Sequence, residues 1–218
     1  MPPFSTLIWD WNGTLLDDVA LCSRLLNHQL ARHGYAPVGD VSAYRRVFRF
    51  PIRAYYQDAG FDFSRHPFPV LAEEYMELYQ PQSLACPLQP GARQVLAALQ
   101  RRGVRQVILS ASRCDYLAAQ VAHFGLTKYF DVLLGLRDIY ARSKVEAGLR
   151  WISECGLCPA DTVMIGDSVH DYETACALGV RCVLFSGGHQ PRETLAATGA
   201  PVIDRLEKLL GVDEAEDK

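Results

Sequence analysis

The sequence predicts an α/β protein: a doubly wound, Rossmann-like parallel-sheet core with a helical cap inserted after the first strand. Three observations lead there. Short, continuous apolar runs recur along the chain, the pattern of strands buried on both faces. Helical periodicity separates most of them, as in a sheet covered by crossover helices. Between Asp18 and about Leu88 the alternation stops and only helical signals remain.

The first run, Leu7-Ile8-Trp9, leads into Asp10. A stripe of Leu21, Leu25, Leu26 and Leu30 then marks a helix that stops near Gly34. Helical patterns follow at 41–48, 51–59 and 67–80, and Pro81, Pro87, Pro90 and Gly91 punctuate the return to the α/β pattern. Ala92, Val95, Leu96 and Leu99 place a helix at 91–102, ended by Gly103. Strands are expected at Val104–Leu109, Val132–Leu134, Thr162–Ile165, Cys182–Phe185 and Pro201–Ile203. The remaining helices fall at 113–124, 143–155 and 168–178. The expected domains are a core of 1–17 and 89–212, a cap of 18–88, and a charged, frayed tail of 213–218.

Composition narrows the function. The 218 residues are 49% hydrophobic and 22% charged, which excludes a disordered or fibrous chain. Lys and Arg number 22 against 25 Asp and Glu, a net charge of −3, and a nucleic-acid partner would call for a basic chain. No apolar run approaches the roughly 20 residues of a membrane span, and the N-terminus lacks the pattern of a signal peptide. The seven cysteines are odd in number and scattered, so they read as free, largely buried thiols of a reducing cytoplasm. Cys155-Gly-Leu-Cys158 has redox spacing but lacks a second ligand pair and reads as a helix end at Gly156. Nothing in the sequence sets an oligomeric state.

Chemistry in an open parallel sheet belongs at the carboxyl ends of the strands. Asp10-Trp-Asn-Gly-Thr-Leu-Leu-Asp-Asp18 follows the first run, Ser110-Ala-Ser112 the second, and Gly166-Asp167-Ser-Val-His-Asp171 the fourth. Lys144 opens a helix between the third and fourth. An edge crowded with acids is costly without a cation, and Mg²⁺ suits oxygen ligands and phosphate.

These four segments together resemble the haloacid dehalogenase-like superfamily of phosphohydrolases. Asp10-x-Asn12-Gly13-Thr14 is similar to its first motif, Ser110 to its second, Lys144 to its third and Gly166-Asp167-x-x-x-Asp171 to its fourth. The helical insertion resembles the cap of the phosphoglycolate phosphatase-like branch. The resemblance implies a Mg²⁺-dependent phosphatase acting on a small phosphorylated metabolite. Asp10 would be the nucleophile that forms an aspartyl-phosphate. Mg²⁺ would sit on the Asp10 carboxylate, the backbone carbonyl of Asn12 and Asp167. Asp171 would complete that metal set or orient Lys144. Ser110, Ala111, Gly13, Thr14 and Lys144 would receive the phosphoryl group.

The chain departs from the family at Asn12, where its hydrolases carry an acid–base Asp; an amide cannot act as a carboxylate base. A slow or inactive phosphate-binding protein, or a phosphotransferase, is therefore the alternative, and Asn12→Asp is expected to raise turnover. A phosphonoacetaldehyde hydrolase would need a cap lysine, and residues 19–88 contain none. A dehalogenase would not need the acidic metal site, and a sugar phosphomutase relies on the missing Asp. In the cap, Arg49 and Arg53 flank Pro51 among aromatic residues and are the expected substrate-selecting pair, weighed against a solvated amphipathic helix. His170 is expected near the metal without ligating it, and His189 at the same sheet edge.

Overall fold

A computed structural model describes residues 4–140 and 143–211. Met1 to Pro3, 141–142 and the tail from 212, including the expected charged segment, lie outside the described residues. Six parallel strands form one sheet: β1 (Thr6–Trp9), β2 (Arg105–Arg113), β3 (Val132–Leu136), β4 (Thr162–Gly166), β5 (Arg181–Phe185) and β6 (Val202–Ile203), in the order β3-β2-β1-β4-β5-β6. The expected fold class is the observed one. The first strand is central because β2 and β4 pair with it on either side, with Trp9 opposite both Ile108 and Ile165.

Two-residue periodicity explains why the runs are continuously apolar. Leu7 and Trp9 share a core with Ile108, Val163, Ile165 and Val183, whereas Ile8 packs on the other face with Val107, Leu109 and Met164. Trp9 is fully buried, and its indole N–H donates to Gln106 Oε1 at 3.1 Å.

Helices cover the sheet: α5 (Ala92–Arg101), α6 (Cys114–His123), α7 (Val145–Cys155), α8 (Val169–Leu178) and a short α9 (Arg192–Ala196) that the periodicity did not signal. Before them come α1 (Val19–Arg32), α2 (Val41–Val47), α3 (Ile52–Asp58) and α4 (Phe68–Ser83). These four bury a cluster of their own, in which Leu25, Leu26 and Leu30 meet Tyr56, Phe61, Phe68 and Leu71. Where the chain leaves the sheet and returns, its two passages run side by side. The Asp17 N–H donates to the Pro87 carbonyl, and the Gln89 N–H to that of Leu15, both at 2.9 Å.

Three local expectations differ. The fourth helix passes through Pro81 to Ser83; a proline in the last turn forfeits one hydrogen bond without needing to end the helix. The second strand extends beyond Leu109 to Arg113, with an irregular register against β3. The thiols are free as expected, but Cys114, Cys155, Cys158 and Cys176 are exposed and only Cys22 is buried. Apolar sequence neighbours do not decide burial on a helix, where the outward face follows from 3.6-residue periodicity. Gly156 terminates α7 with φ 59°, so the Cys155–Cys158 segment is a helix end.

Leu96, on α5, is fully buried against the sheet. Leu96→Ala is expected to cost about 2–5 kcal/mol through the cavity it leaves, measured as a fall in the urea midpoint at unchanged slope.

Candidate active site

Parallel register delivers the ends of β1, β2 and β4 to one edge, and the side chains that follow converge there. Asp10 is buried at the end of β1, Ser110 lies within β2, and Asp167 follows β4. Lys144, 2% exposed, immediately precedes α7. Its Nζ pairs with the Asp10 carboxylate and, at 2.5 Å, with Asp171 Oδ1. Asp171 Oδ2 accepts from the N–H groups of Asp167 (3.1 Å) and Ser168 (2.9 Å) and from Ser168 Oγ (2.6 Å), closing the capping box of α8. Asp171 is thus fixed from both sides and in turn aims Lys144 at Asp10.

Asp10, Asp167 and Asp171 each offer a carboxylate oxygen within 4.8 Å of the others, all buried. Burial above all, with the charges of Asp171 and Asp167, pushes the Asp10 carboxyl up to about 8 against the pull of Lys144. Burial likewise raises Asp167 to about 6. Burial opposes ionisation of Asp171 too, but Lys144 holds it below its ordinary value. Lys144 itself is held above its ordinary value by the two carboxylates, which outweigh burial. The cluster carries more negative charge than its lysine balances, and hard oxygen donors in that state fit a divalent ion such as Mg²⁺.

Asp167 is also gripped from behind: Thr14 Oγ1 donates to Oδ1 at 3.0 Å and the His189 N–H to Oδ2 at 2.6 Å. Gly13 is required at this point. With φ 76°, a Cβ there would lie 2.4 Å from Asp167 Oδ2 and 2.5 Å from the His189 ring. Gly13 and Thr14, expected to receive substrate, therefore direct their polar groups to Asp18 and Asp167.

Asp18, to which the sequence assigned no role, joins the first-motif loop to three other elements. Its Oδ1 accepts from the Gly13 N–H (3.0 Å) and faces His189 Nε2 (3.2 Å). Its Oδ2 accepts from Asn12 Nδ2 (2.8 Å), Tyr79 Oη (2.6 Å) and, more weakly, Cys22 Sγ (3.6 Å). Burial opposes the charge of Asp18, yet these donors and His189 hold its carboxyl below the ordinary value. His189 completes the join: its Nδ1 meets Tyr44 Oη at 2.8 Å and its ring stacks on Phe48 at 4.6 Å. Burial lowers its basicity, but Asp18 more than offsets this, and the ring titrates above its ordinary value. The signal available in the sequence was an acid, Asp18, eight residues after Asp10 and just before the helical stripe that opens at Leu21.

Asn12 is held at three points, by Asp18, by Tyr79 Oη at 2.6 Å, and by Ser112 Oγ, which donates to its Oδ1 at 2.7 Å. Ser110 Oγ accepts from the Ser112 N–H at 3.1 Å, and Ser110 and Ala111 line the cavity above Asp10.

The cap arginines are not brought to this cavity. Arg49 is exposed and pairs with Asp58 at 2.5 Å, while the Arg53 guanidinium lies 4.9 Å from the Phe63 ring centroid. Helical spacing explains it: Ile52, Tyr55, Tyr56 and Ala59 form the inward stripe of α3, which turns Arg53 outward. His170 is buried and stacks on Phe50 at 4.5 Å; burial, then Lys144, lowers its basicity.

Residues 7–185 match the model of the haloacid dehalogenase-like hydrolases, and the chain belongs to that family. It is 26% identical to phosphoglycolate phosphatase 1 of Pseudomonas aeruginosa over 94% of this chain and 78% of that protein. It is 28% identical to the tyrosine-protein kinase PtkA of Mycobacterium tuberculosis, over 94% of this chain and 72% of the kinase. A haloacid dehalogenase-like hydrolase of Streptococcus pneumoniae has the same fold, with TM-score 0.83 at 16% identity, covering 97% and 99% of the two chains. None of the described helices is long and apolar enough to cross a membrane.

The amide of Asn12 complements Asp18, so the acid expected to restore proton transfer would stand 2.8 Å from a buried carboxylate. Asn12→Asp is expected to destabilise the protein at pH 8 by on the order of 1–3 kcal/mol. The loss should shrink as the pH falls and one carboxyl takes up a proton. Exchanging the pair, Asn12→Asp with Asp18→Asn, should recover most of it. Thermal melts across pH check this; a single variant as stable as the parent at pH 8 would disprove the coupling.

Proposed function

We propose that the protein is a Mg²⁺-dependent phosphatase that hydrolyses a small organic phosphomonoester through an aspartyl-phosphate on Asp10. The observation that carries this reading is Asp10 itself: a buried carboxylate held by Lys144, beside two further carboxylates, in a cavity also lined by Ser110 and Ala111. Residues 18–88 act as the cap over a core of 1–17 and 89–212.

Asp10 Oδ attacks phosphorus, the ester P–O bond breaks, and the leaving alkoxide takes a proton from water. Water then attacks the aspartyl-phosphate, releasing inorganic phosphate and regenerating Asp10. Ser110 Oγ and the backbone around Ala111 hydrogen-bond phosphoryl oxygens, and Lys144 offsets their negative charge in the transition state. Asp10, Asp167 and the Asn12 carbonyl, supported by Asp171, would hold Mg²⁺, which would supply charge neutralisation between the attacking carboxylate and the anionic phosphoryl group. Asn12 positions by hydrogen bonding and transfers no proton, because its amide is committed to Asp18, Tyr79 and Ser112. That commitment favours slow breakdown of the phospho-enzyme, and is why a phosphotransferase is the second reading. The convergence of Asp10, Ser110, Lys144 and Asp167 at one sheet edge supports a reaction at this site, but transfer to another acceptor would use the same groups.

Asp10→Asn should abolish hydrolysis of an aryl phosphate while the circular dichroism spectrum stays that of the parent. Chelation should do the same reversibly, with Mg²⁺ restoring activity. Turnover by Asp10→Asn equal to that of the parent would eliminate the mechanism.

Metal and protons compete for the same carboxylates. The Asp10 carboxyl lies at about 8 in the metal-free fold against an ordinary 3.8, so its bound proton stabilises that fold at low pH, and the stabilisation is lost as pH rises through about 8. The increase in melting temperature on adding Mg²⁺ should therefore grow from about pH 6 to about pH 8. A pH-independent increase would contradict this assignment of the metal ligands.

A further inference from the structure

The cavity above Asp10 has two chemically different ends. One holds the carboxylates, Lys144 and the serines. The other, formed by the helices of residues 19–83 and the segment after β3, presents Phe50, Ile52, Tyr55, Tyr75, Met76 and Ile139. Two of the tyrosine hydroxyls nearby are engaged within the wall, Tyr44 Oη on His189 and Tyr79 Oη on Asp18.

No free cation stands at this end among the described residues. Lys144 is committed to Asp10 and Asp171 at the far end. The Arg113 guanidinium binds both oxygens of Asp115, at 2.6 and 2.7 Å, and lies 3.8 Å from the Tyr116 ring centroid. Arg49 and Arg53, the cap cations the sequence offered, stand outside the cavity. A leaving group bearing its own carboxylate, as in phosphoglycolate, would set that charge against aromatic carbon with no free cation among the described residues, which is unfavourable. An uncharged ring would find offset and edge-on aromatic contacts instead.

The geometry points to a substrate whose alcohol half is an uncharged aromatic or arylalkyl group, not the carboxylate-bearing one named for the phosphoglycolate phosphatases it resembles. The inference rests on the phosphatase reading for the reaction but concerns only the leaving-group end. Hydrolysis of such an ester breaks the same P–O bond and yields the neutral alcohol and inorganic phosphate, with water the only co-reactant.

The test uses esters of similar leaving-group basicity, so that chemistry does not mask recognition. With Mg²⁺ present, kcat/KM is measured for 2-phenylethyl phosphate, ethyl phosphate and 2-phosphoglycolate. Binding of the non-hydrolysable 2-phenylethylphosphonate, ethylphosphonate and 3-phosphonopropionate is measured in parallel by calorimetry. The phenylethyl member should lead both others at least tenfold in each series. Met76→Lys, which puts a cation into the apolar end, should weaken 2-phenylethylphosphonate and tighten 3-phosphonopropionate. Preference for phosphoglycolate or its phosphonate, or equal affinity across the series, would overturn the inference and leave the phosphatase reading standing. If no ester is hydrolysed and no phospho-enzyme forms, the phosphatase reading fails, and the phosphonate affinities still decide whether the cavity selects an aromatic group.

Discussion

Four carboxylates, those of Asp10, Asp18, Asp167 and Asp171, are buried at one edge of the sheet, and Lys144 is the lysine buried with them. That imbalance constrains everything around it. An unpaired buried charge is far costlier than a paired one, so each carboxylate must be given donors by some part of the chain. Asp171 receives them from the first turn of α8 and from Lys144, Asp167 from Thr14 and the loop after β5, and Asp18 from the first-motif loop, Tyr79 and His189. Asp10 alone is left with Lys144 as its side-chain donor and with its carboxyl pushed furthest toward neutrality. It is therefore the buried carboxylate of this edge with most to gain from a nearby cation.

The same requirement ties the inserted helices to the sheet. Asp18 begins α1 and Tyr79 lies on α4, and both act on Asn12 in the loop after β1. Tyr44 on α2 reaches His189, and Arg45 donates to the Gly187 carbonyl at 2.9 Å. Polar groups make the join, whereas the helices' own cluster supplies the apolar wall of the cavity. One end of the cavity is therefore set by electrostatics and the other by apolar packing.

Asn12 illustrates why a motif must be read with its surroundings. Taken alone, an amide in place of an acid reads as a loss of catalytic function. In the structure it is one half of a matched pair, because its N–H donor meets the carboxylate of Asp18. The change at one position and the acid at the other satisfy each other's hydrogen bonding.

The sequence by itself determined all six strands, all the α-helices but α9, and the order of the chemistry along the chain, though not every element's bounds. Continuous apolar runs and 3.6-residue stripes follow from burial, which is a local pattern, and the motifs put Asp10 and Asp167 just after strands, Ser110 within β2, Lys144 just before α7 and Asp171 in the first turn of α8. Only the tertiary structure decided what those residues face. Asp18 and Tyr79 are 61 positions apart, and His189 is 171 from Asp18. Their meeting depends on how the inserted helices pack over the sheet, which no local pattern records. Arg49 and Arg53 show the converse. Charge and neighbourhood in sequence suggested a substrate contact, but the rotation of α3 about its axis, set by burying Tyr55 and Tyr56, turned Arg53 to solvent and left Arg49 to pair with Asp58.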